Sequence, residues 1–174
     1  MDPKLRPGNV PLKYHRDVRY GFSLLYPESW HAFDLPDGKL FSPSPVDPVT
    51  FLSVEVKDLG TRVKAADLPD LREGFLAGLR AVAGSEIESH RDYDVGFLIG
   101  LEARQTYRER RTRRKRWIRL LYKDTLQVRL VAQGATTREF EFWLPCFDPG
   151  MTAFVFDGGL PPRPEPAEGV SRAR

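Results

Sequence analysis

The stretch Tyr20-Gly-Phe-Ser-Leu-Leu-Tyr-Pro-Glu-Ser-Trp30 decides the fold class of this chain. It predicts a short apolar strand that ends at Pro27 and is followed by the amphipathic Trp30. A second aromatic segment, Phe140-Glu-Phe-Trp-Leu-Pro-Cys-Phe147, closes the domain and precedes a predicted final strand over Ala153-Phe-Val-Phe156. These segments indicate an architecture, and they carry no chemistry of their own.

The apolar period changes twice along the chain. Alternation of Leu52, Val54 and Val56 with polar residues predicts a strand. Apolar residues then recur every three or four positions, which predicts a helix over residues 67–82 with Asp67 as its N-cap. Gly74 and Gly78 lie four residues apart, and we expect them to let this helix approach a sheet closely.

Four strands joined by short turns follow, and they predict an antiparallel meander. Three polar positions within them, Arg104, Arg119 and Arg129, are assigned to faces opposite the apolar ones, so we expect one buried and one charged, partly wet sheet face. The strands are predicted over residues 86–94, 98–108, 114–123 and 126–132.

A second helix is predicted over residues 136–147. Thr136-Thr-Arg-Glu139 has the pattern of a capping box, and Asp148-Pro-Gly150 is expected to end the helix. We expect Phe75 and Leu79 of the first helix, and Trp143 and Phe147 of the second, to be buried.

Composition divides the chain into three parts. Residues 1–17 are expected to be a flexible segment, 18–157 a single domain, and 158–174 a disordered Pro-rich tail, because the two ends lack apolar periodicity. No apolar run approaches the roughly 20 residues of a membrane helix, and no signal peptide is visible, so the sequence predicts a cytoplasmic protein. Oligomeric state is not indicated.

The two aromatic segments resemble the Mog1/PsbP-like superfamily. The matching positions are Tyr20, Gly21, Phe22, Ser23, Tyr26, Pro27 and Trp30 at the start, and Phe140, Leu144, Pro145, Phe147, Phe154 and Phe156 at the end. The resemblance implies an α+β fold, an α/β/α sandwich on a mostly antiparallel central sheet. It also implies an accessory or partner-binding role, since the superfamily includes a Ran-binding factor, an extrinsic photosystem II subunit and many bacterial proteins. No functional residue carries over from it.

Arg108-Glu-Arg-Arg-Thr-Arg-Arg-Lys-Arg116 is the strongest chemical signal in the sequence. Seven basic residues and one acid give the run a charge of +6, whereas the whole chain carries +3. At a hairpin tip these side chains would project together and favour phosphates or carboxylates, with Trp117 able to stack on a base. The alternative is a solvated loop whose charge discourages edge pairing. The candidate polyanion-binding residues are Arg108, Arg110, Arg111, Arg113, Arg114, Lys115, Arg116 and Trp117.

Patterns typical of catalysis or cofactor binding are missing from the sequence. His15, His31 and His90 lie in separate segments without metal-ligand spacing, and Cys146 lies among aromatic residues as expected for an inert thiol. We therefore predict no catalytic nucleophile, no metal and no cofactor.

Two main classes of function follow from these observations. The first is a non-enzymatic accessory domain that binds a protein partner through its sheet face and loops. The second is a binder of polyanions, either nucleic acid or an anionic membrane surface, through hairpin 108–116. A small-ligand pocket between sheet and helices is a further alternative.

Overall fold

A computed structural model describes residues 7–157 of the chain. The predictions for the tail 158–174 and for residues 1–6 concern parts of the chain outside this range. The elements are β1 (Leu12–Asp17), β2 (Phe22–Pro27), β3 (His31–Leu35), β4 (Gly38–Ser42), β5 (Phe51–Asp58), α1 (Leu68–Arg80), β6 (Glu86–Asp94), β7 (Ile99–Glu109), β8 (Thr112–Lys123), β9 (Leu126–Gly134), α2 (Thr137–Thr152) and β10 (Val155–Phe156).

Seven antiparallel strands form the main sheet in the order β3-β4-β5-β9-β8-β7-β6. Strands β6 to β9 are the predicted meander, and each pairs with the next along the chain. Their ends fall within two residues of the predicted positions, because turn residues mark them clearly in the sequence.

A second sheet of three strands has the order β1-β2-β10. The prediction that residues 1–17 form a flexible segment is therefore wrong for Leu12–Asp17, which pairs with β2 along its whole length. Most side chains of β1 are exposed, so the strand depends on main-chain hydrogen bonds to β2. Apolar periodicity cannot reveal a strand of that kind.

Helix α1 packs on one face of the main sheet. Its Leu76 and Leu79 are buried against Ala103, Ile118 and Val131, while Phe75 is only half-buried. Asp67 occupies the N-cap position, but its carboxylate accepts a hydrogen bond from the Lys64 N–H at 2.7 Å, within a 3₁₀ turn over Ala65–Asp67.

Helix α2 and the small sheet cover the opposite face of the main sheet. Thr136 caps α2 by accepting a hydrogen bond from the Glu139 N–H at 3.1 Å, which is one half of the predicted capping box. The Glu139 carboxylate accepts a hydrogen bond from the Thr50 hydroxyl instead of completing the box. The predicted end at Asp148–Gly150 is wrong, because α2 continues to Thr152 with Pro145 and Pro149 inside it. Burial of apolar residues on both sides of these prolines keeps the segment helical: Trp143 and Phe147 are buried, as are Cys146 and Met151.

Both faces of the main sheet are therefore covered by other elements. The expectation of one charged, partly wet face is wrong, because Ile118 lies in the core under α1 while Val128 and Leu130 lie in the core under α2. Alternation correctly placed Ile118 and Leu120 of β8 on one face, and Val128 and Leu130 of β9 on one face. These two groups lie on opposite faces of the sheet, however, because Leu130 is paired with Arg119 and Leu120 with Arg129. The result is an α+β sandwich with helices on both sides of an antiparallel sheet.

Gly150 and Gly78 both lie within helices but in opposite surroundings. A Cβ atom at Gly150 would lie 2.4 Å from Leu52 Cδ2 and 2.8 Å from the Leu25 carbonyl oxygen. A Cβ atom at Gly78 would have nothing within 4 Å, because Gly74 and Gly78 face solvent rather than the sheet.

We expect Gly150→Ala to destabilise the protein by about 1–3 kcal/mol, since the added methyl overpacks a contact with the main chain. Gly78→Ala should stabilise it by about 0.5–1 kcal/mol, because alanine is the better helix former where space is open. Urea unfolding followed by circular dichroism measures both values. Equal effects of the two substitutions would contradict the close packing of α2.

Candidate functional site

The Arg-rich run forms the hairpin between β7 and β8, at the place the sequence predicts. Arg110 and Arg111 are the two turn residues, and Arg110 has a φ of 55°, which suits the twist of a two-residue hairpin. Side chains beyond the turn alternate between the two faces of the sheet. The cations therefore do not project together from the hairpin tip, which corrects the prediction.

Two cations of the run are paired on the α2 side of the sheet. Arg113 forms an ion pair with Glu86. The ammonium of Lys115 lies 2.7 Å from the carboxylates of both Glu88 and Glu141. These contacts neutralise much of the charge that the run carries on this face.

Two further cations are paired on the α1 side. Arg114 lies 2.6 Å from the Glu109 carboxylate. Arg116 donates a hydrogen bond to Gln105 Oε1 at 2.9 Å and lies 4.6 Å from the centre of the Tyr107 ring. Burial lowers the pKa of Arg116. Both cations are therefore part of the folded framework.

Three cations of the hairpin, Arg108, Arg110 and Arg111, are exposed, and their side chains form no ion pair or hydrogen bond within residues 7–157. Trp117, which was a candidate for stacking on a base, is 2% exposed. Its ring lies 4.5 Å from the guanidinium carbon of Arg104. The accessible part of the predicted polyanion site is thus reduced to three arginines near the turn.

The three sheet-face candidates do not share a surface. Arg104 and Arg119 lie on the α2 side, whereas Arg129 pairs in register with Leu120 and lies on the α1 side. Arg119 is mostly buried, donates a hydrogen bond to the Tyr93 hydroxyl at 2.7 Å and lies 3.3 Å from Glu102. A common sheet-face binding surface of these three arginines is therefore not formed.

An exposed aromatic turn stands at one end of the main sheet, between β6 and β7. Phe97 is 73% exposed and Val95 is 54% exposed. The turn is fixed by the Asp94 carboxylate, which accepts a hydrogen bond from the Gly96 N–H at 2.7 Å, and Gly96 has a φ of 84°. This geometry holds the apolar side chains in solvent.

Two clefts flank this turn, and both are lined by Phe97, Leu98 and Lys123. The first has a volume of about 590 Å³ and is completed mainly by Phe154 and Phe156, so its walls are largely apolar. The second, of about 430 Å³, lies on the other side of the turn toward Lys64. We call the turn and both clefts the aromatic end.

Two cations of the aromatic end have no ion pair, although its lining is balanced overall, with Arg62, Lys64 and Lys123 against Asp94, Asp124 and Asp157. The side-chain ammonium groups of Lys64 and Lys123 form no ion pair within residues 7–157, and the Lys123 ammonium lies 4.9 Å from the centre of the Phe156 ring. The three carboxylates of the two clefts are already engaged: Asp94 in the turn, Asp124 with Arg62, and Asp157 with Arg16 at 3.5 Å.

Phe97 was not among the functional candidates predicted from the sequence. The alternation of Phe154 and Phe156 predicts a final strand, but it contains no information that this strand lies beside the turn at Gly96. An available signal was the pair of large apolar residues beside this turn glycine, since turns are normally polar.

Comparison with solved structures identifies the fold. Cyanobacterial PsbP (CyanoP) from Synechocystis sp. PCC 6803 aligns with a TM-score of 0.59 at 14% identity, over 86% of this chain and 94% of that one. The Mog1/PsbP-like fold is present here. LpqN, involved in cell envelope biogenesis of Mycobacterium tuberculosis, aligns at 0.57 and 12%, over 88% and 95% of the two chains. The Saccharomyces cerevisiae Ran-binding protein Mog1p aligns at 0.54 and 8%, over 86% and 98%.

The other comparisons give no result: no family model matches the chain, and no curated protein matches its sequence. At 8–14% identity the three structures establish the Mog1/PsbP-like fold alone. Within residues 7–157, neither helix is long and apolar enough to cross a membrane.

The single cysteine of the chain lies in the core. Cys146 is buried, and this burial raises the pKa of its thiol to about 11. Over residues 7–157, no three His, Cys, Asp or Glu side chains come together as a potential metal-binding group.

His15 packs between the two sheets against Phe22 and Phe41, with ring centres 6.1 and 5.6 Å away. Burial is the largest cause that lowers its pKa; Lys39 lowers the pKa further, and Asp17 opposes the shift. The Nε2 atom is buried without a hydrogen-bond partner in the described part of the chain. The folded domain therefore favours neutral His15.

Folding stability should fall as the pH drops through about 6.5 toward 5, because the unfolded chain binds a proton at His15 more readily than the folded one. His15→Phe keeps an aromatic ring and should remove most of this dependence. Urea unfolding at pH 7.5, 6.5 and 5.5 measures it. A variant that retains the wild-type slope would show that another group is responsible.

Proposed function

We propose that this chain is a non-enzymatic accessory domain that binds a protein partner at the aromatic end. The exposure of Phe97 and Val95 beside two clefts is the observation that carries the proposal. Exposed aromatic side chains next to an apolar recess are typical of the centre of protein interfaces.

The charges around the recess indicate the chemistry of the partner. The ammonium groups of Lys64 and Lys123 form no ion pair in the described residues, whereas the carboxylates that line the clefts are engaged in ion pairs or in the turn. A partner segment with a large apolar residue beside Asp or Glu would bury the first in the recess and place the second near Lys123. Such charges favour the correct partner and speed association.

Two of the fold neighbours have roles that are compatible with an accessory or binding function. Mog1p is a Ran-binding protein, and LpqN is involved in cell envelope biogenesis. The absence of enzymatic activity and the cytoplasmic location stay predictions, as does the small-ligand alternative. LpqN has this fold and is involved in cell envelope biogenesis, so the fold does not determine the compartment. The proposed binding mode is independent of the compartment in which this chain acts.

Random peptides displayed on phage and selected on the wild-type domain should converge on an apolar anchor next to an acidic residue. Phe97→Ser should weaken the selected peptides at least about tenfold, since central aromatic contacts dominate binding energy. Lys123→Glu should also weaken them, because it reverses the charge that meets the acidic residue. Fluorescence anisotropy with the synthetic peptides measures each affinity.

Val46→Ser is the matched control, because Val46 is 88% exposed and lines neither cleft of the aromatic end. It should leave the affinity unchanged. Selected peptides that bind the Phe97→Ser variant as tightly as wild type, or a selection without any enrichment, would refute the site.

Polyanion binding is the second candidate function, and it rests on Arg108, Arg110 and Arg111. These exposed turn-proximal arginines have no ion pair within residues 7–157, whereas the four other cations of the run contact Glu or Gln side chains. Three free cations favour weak, sequence-independent contact with phosphates over tight recognition.

If this second function holds, binding to a non-specific DNA duplex should weaken steeply with salt, with a slope near −0.9 for each phosphate contacted. Replacing Arg108, Arg110 and Arg111 by Ser should reduce the slope, while Arg129→Ser should not, because Arg129 lies outside the hairpin on β9 and is paired with Glu55 at 3.8 Å. Anisotropy titrations between 20 and 200 mM salt (roughly the range where the effect is large) measure it. Undetectable binding at the lowest salt would exclude the function.

A further inference from the structure

A polar groove, separate from the aromatic end, lies between strands β6 to β8 and the last turns of α2. Its volume is about 390 Å³, and Arg104 and Trp117 form part of its floor. Ser89 lies opposite Arg104 in register on β6, and Asp148 of α2 lines the other side. No residue of this groove lines either cleft of the aromatic end.

Cations on this side of the sheet are nearly all neutralised. Arg91 and Arg119 share Glu102, at 2.9 and 3.3 Å. Lys115 contacts two carboxylates, and Arg113 contacts one. Arg104 is the exception inside the groove, since it has no carboxylate and no hydrogen-bond acceptor within residues 7–157.

Stacking determines what Arg104 can bind. Its guanidinium carbon lies 4.5 Å from the centre of the Trp117 ring. A guanidinium held on an aromatic ring keeps its planar set of N–H donors for an acceptor. Trp117 is 2% exposed and its Nε1 atom is buried, so its ring supports the guanidinium and Arg104 supplies the donors that face the groove.

We propose that the groove binds a carboxylate group of a ligand, held by paired hydrogen bonds from Arg104. Carboxylate oxygens match the two-pronged donor geometry of arginine. The groove also contains two negative charges, Glu102, which is paired with Arg91 and Arg119, and Asp148, so it disfavours a dianion such as phosphate more than a single carboxylate. A single carboxylate group is therefore the ligand group that fits.

The test uses the ¹⁵N-labelled full chain and N-acetyl-glutamate amide as the carboxylate probe, at constant ionic strength. Side-chain N–H signals of Arg104 and Trp117 should shift in a saturable way, with a dissociation constant in the millimolar range. The uncharged isostere, N-acetyl-glutamine amide, should give no such shift. Inorganic phosphate forms a third arm and should bind more weakly.

Arg104→Gln should weaken the carboxylate probe at least about tenfold, because it removes a charge-assisted, paired contact. Arg104→Lys keeps the charge but not the planar fork, and it should also bind more weakly than wild type. Asp148→Asn should tighten binding by removing a repelling charge. Arg138→Gln, at an exposed arginine of α2 that lines neither this groove nor the clefts of the aromatic end, should leave the affinity unchanged.

Four results would each overturn the proposal. They are a response that rises linearly without saturation, an equal response to the glutamine probe, tighter binding of phosphate than of carboxylate, and an equal loss in the Arg138→Gln variant. Thermal melting checks that each variant is folded; if Arg104→Gln does not fold, the comparison of Arg104→Lys with wild type decides.

Discussion

Burial of α2 between the two sheets is the contact on which the rest of this domain depends. The helix packs against β2 of the small sheet and against β8 and β9 of the main one. Trp143 and Phe147 meet the ring of Trp30 edge-on, with ring centres 5.3 and 5.8 Å apart. Because Gly150 has no side chain, the last turns of the helix come directly against Leu52 and the main chain at Leu25. Without this helix the small sheet would keep only its direct contacts with the main sheet, such as the stacking of Tyr26 on Phe41.

Strand alternation is the second constraint, and it decides where charge can act. A run of consecutive cations on a strand is divided between two faces, so each face receives half of the charge. Carboxylates of β6 and α2 then neutralise Arg113 and Lys115, whereas Glu109 and Gln105 contact Arg114 and Arg116. Net charge along the sequence therefore overstates the positive potential of the folded surface.

Element type was predictable where a period was long and regular. Both helices and all four meander strands have the predicted type, because the predicted stripes contain real core residues, Leu79 in one helix and Trp143 and Phe147 in the other. Strand β1 was missed because it is held by main-chain bonds, and the end of α2 was missed because Pro149 locally opposes a helix that tertiary packing favours. The aromatic end requires Phe97 and Phe156, 59 positions apart in the chain, to meet beside Lys123, and no local pattern encodes such a contact. The pairing of Arg104 with Trp117 likewise depends on strand register.

Pro145 and Pro149 give α2 a property that its burial alone does not. Each proline removes one main-chain donor, so the carbonyls four residues earlier lose their helical partners and the isolated segment is a poor helix. The segment therefore becomes helical when it packs against the two sheets, and it is not a stable helix before that contact forms. During folding, β-strand pairing has to supply the surface first, and the helix is recruited to it. The domain thus has no autonomous helical fragment at its C-terminal side that could persist once the sheets separate.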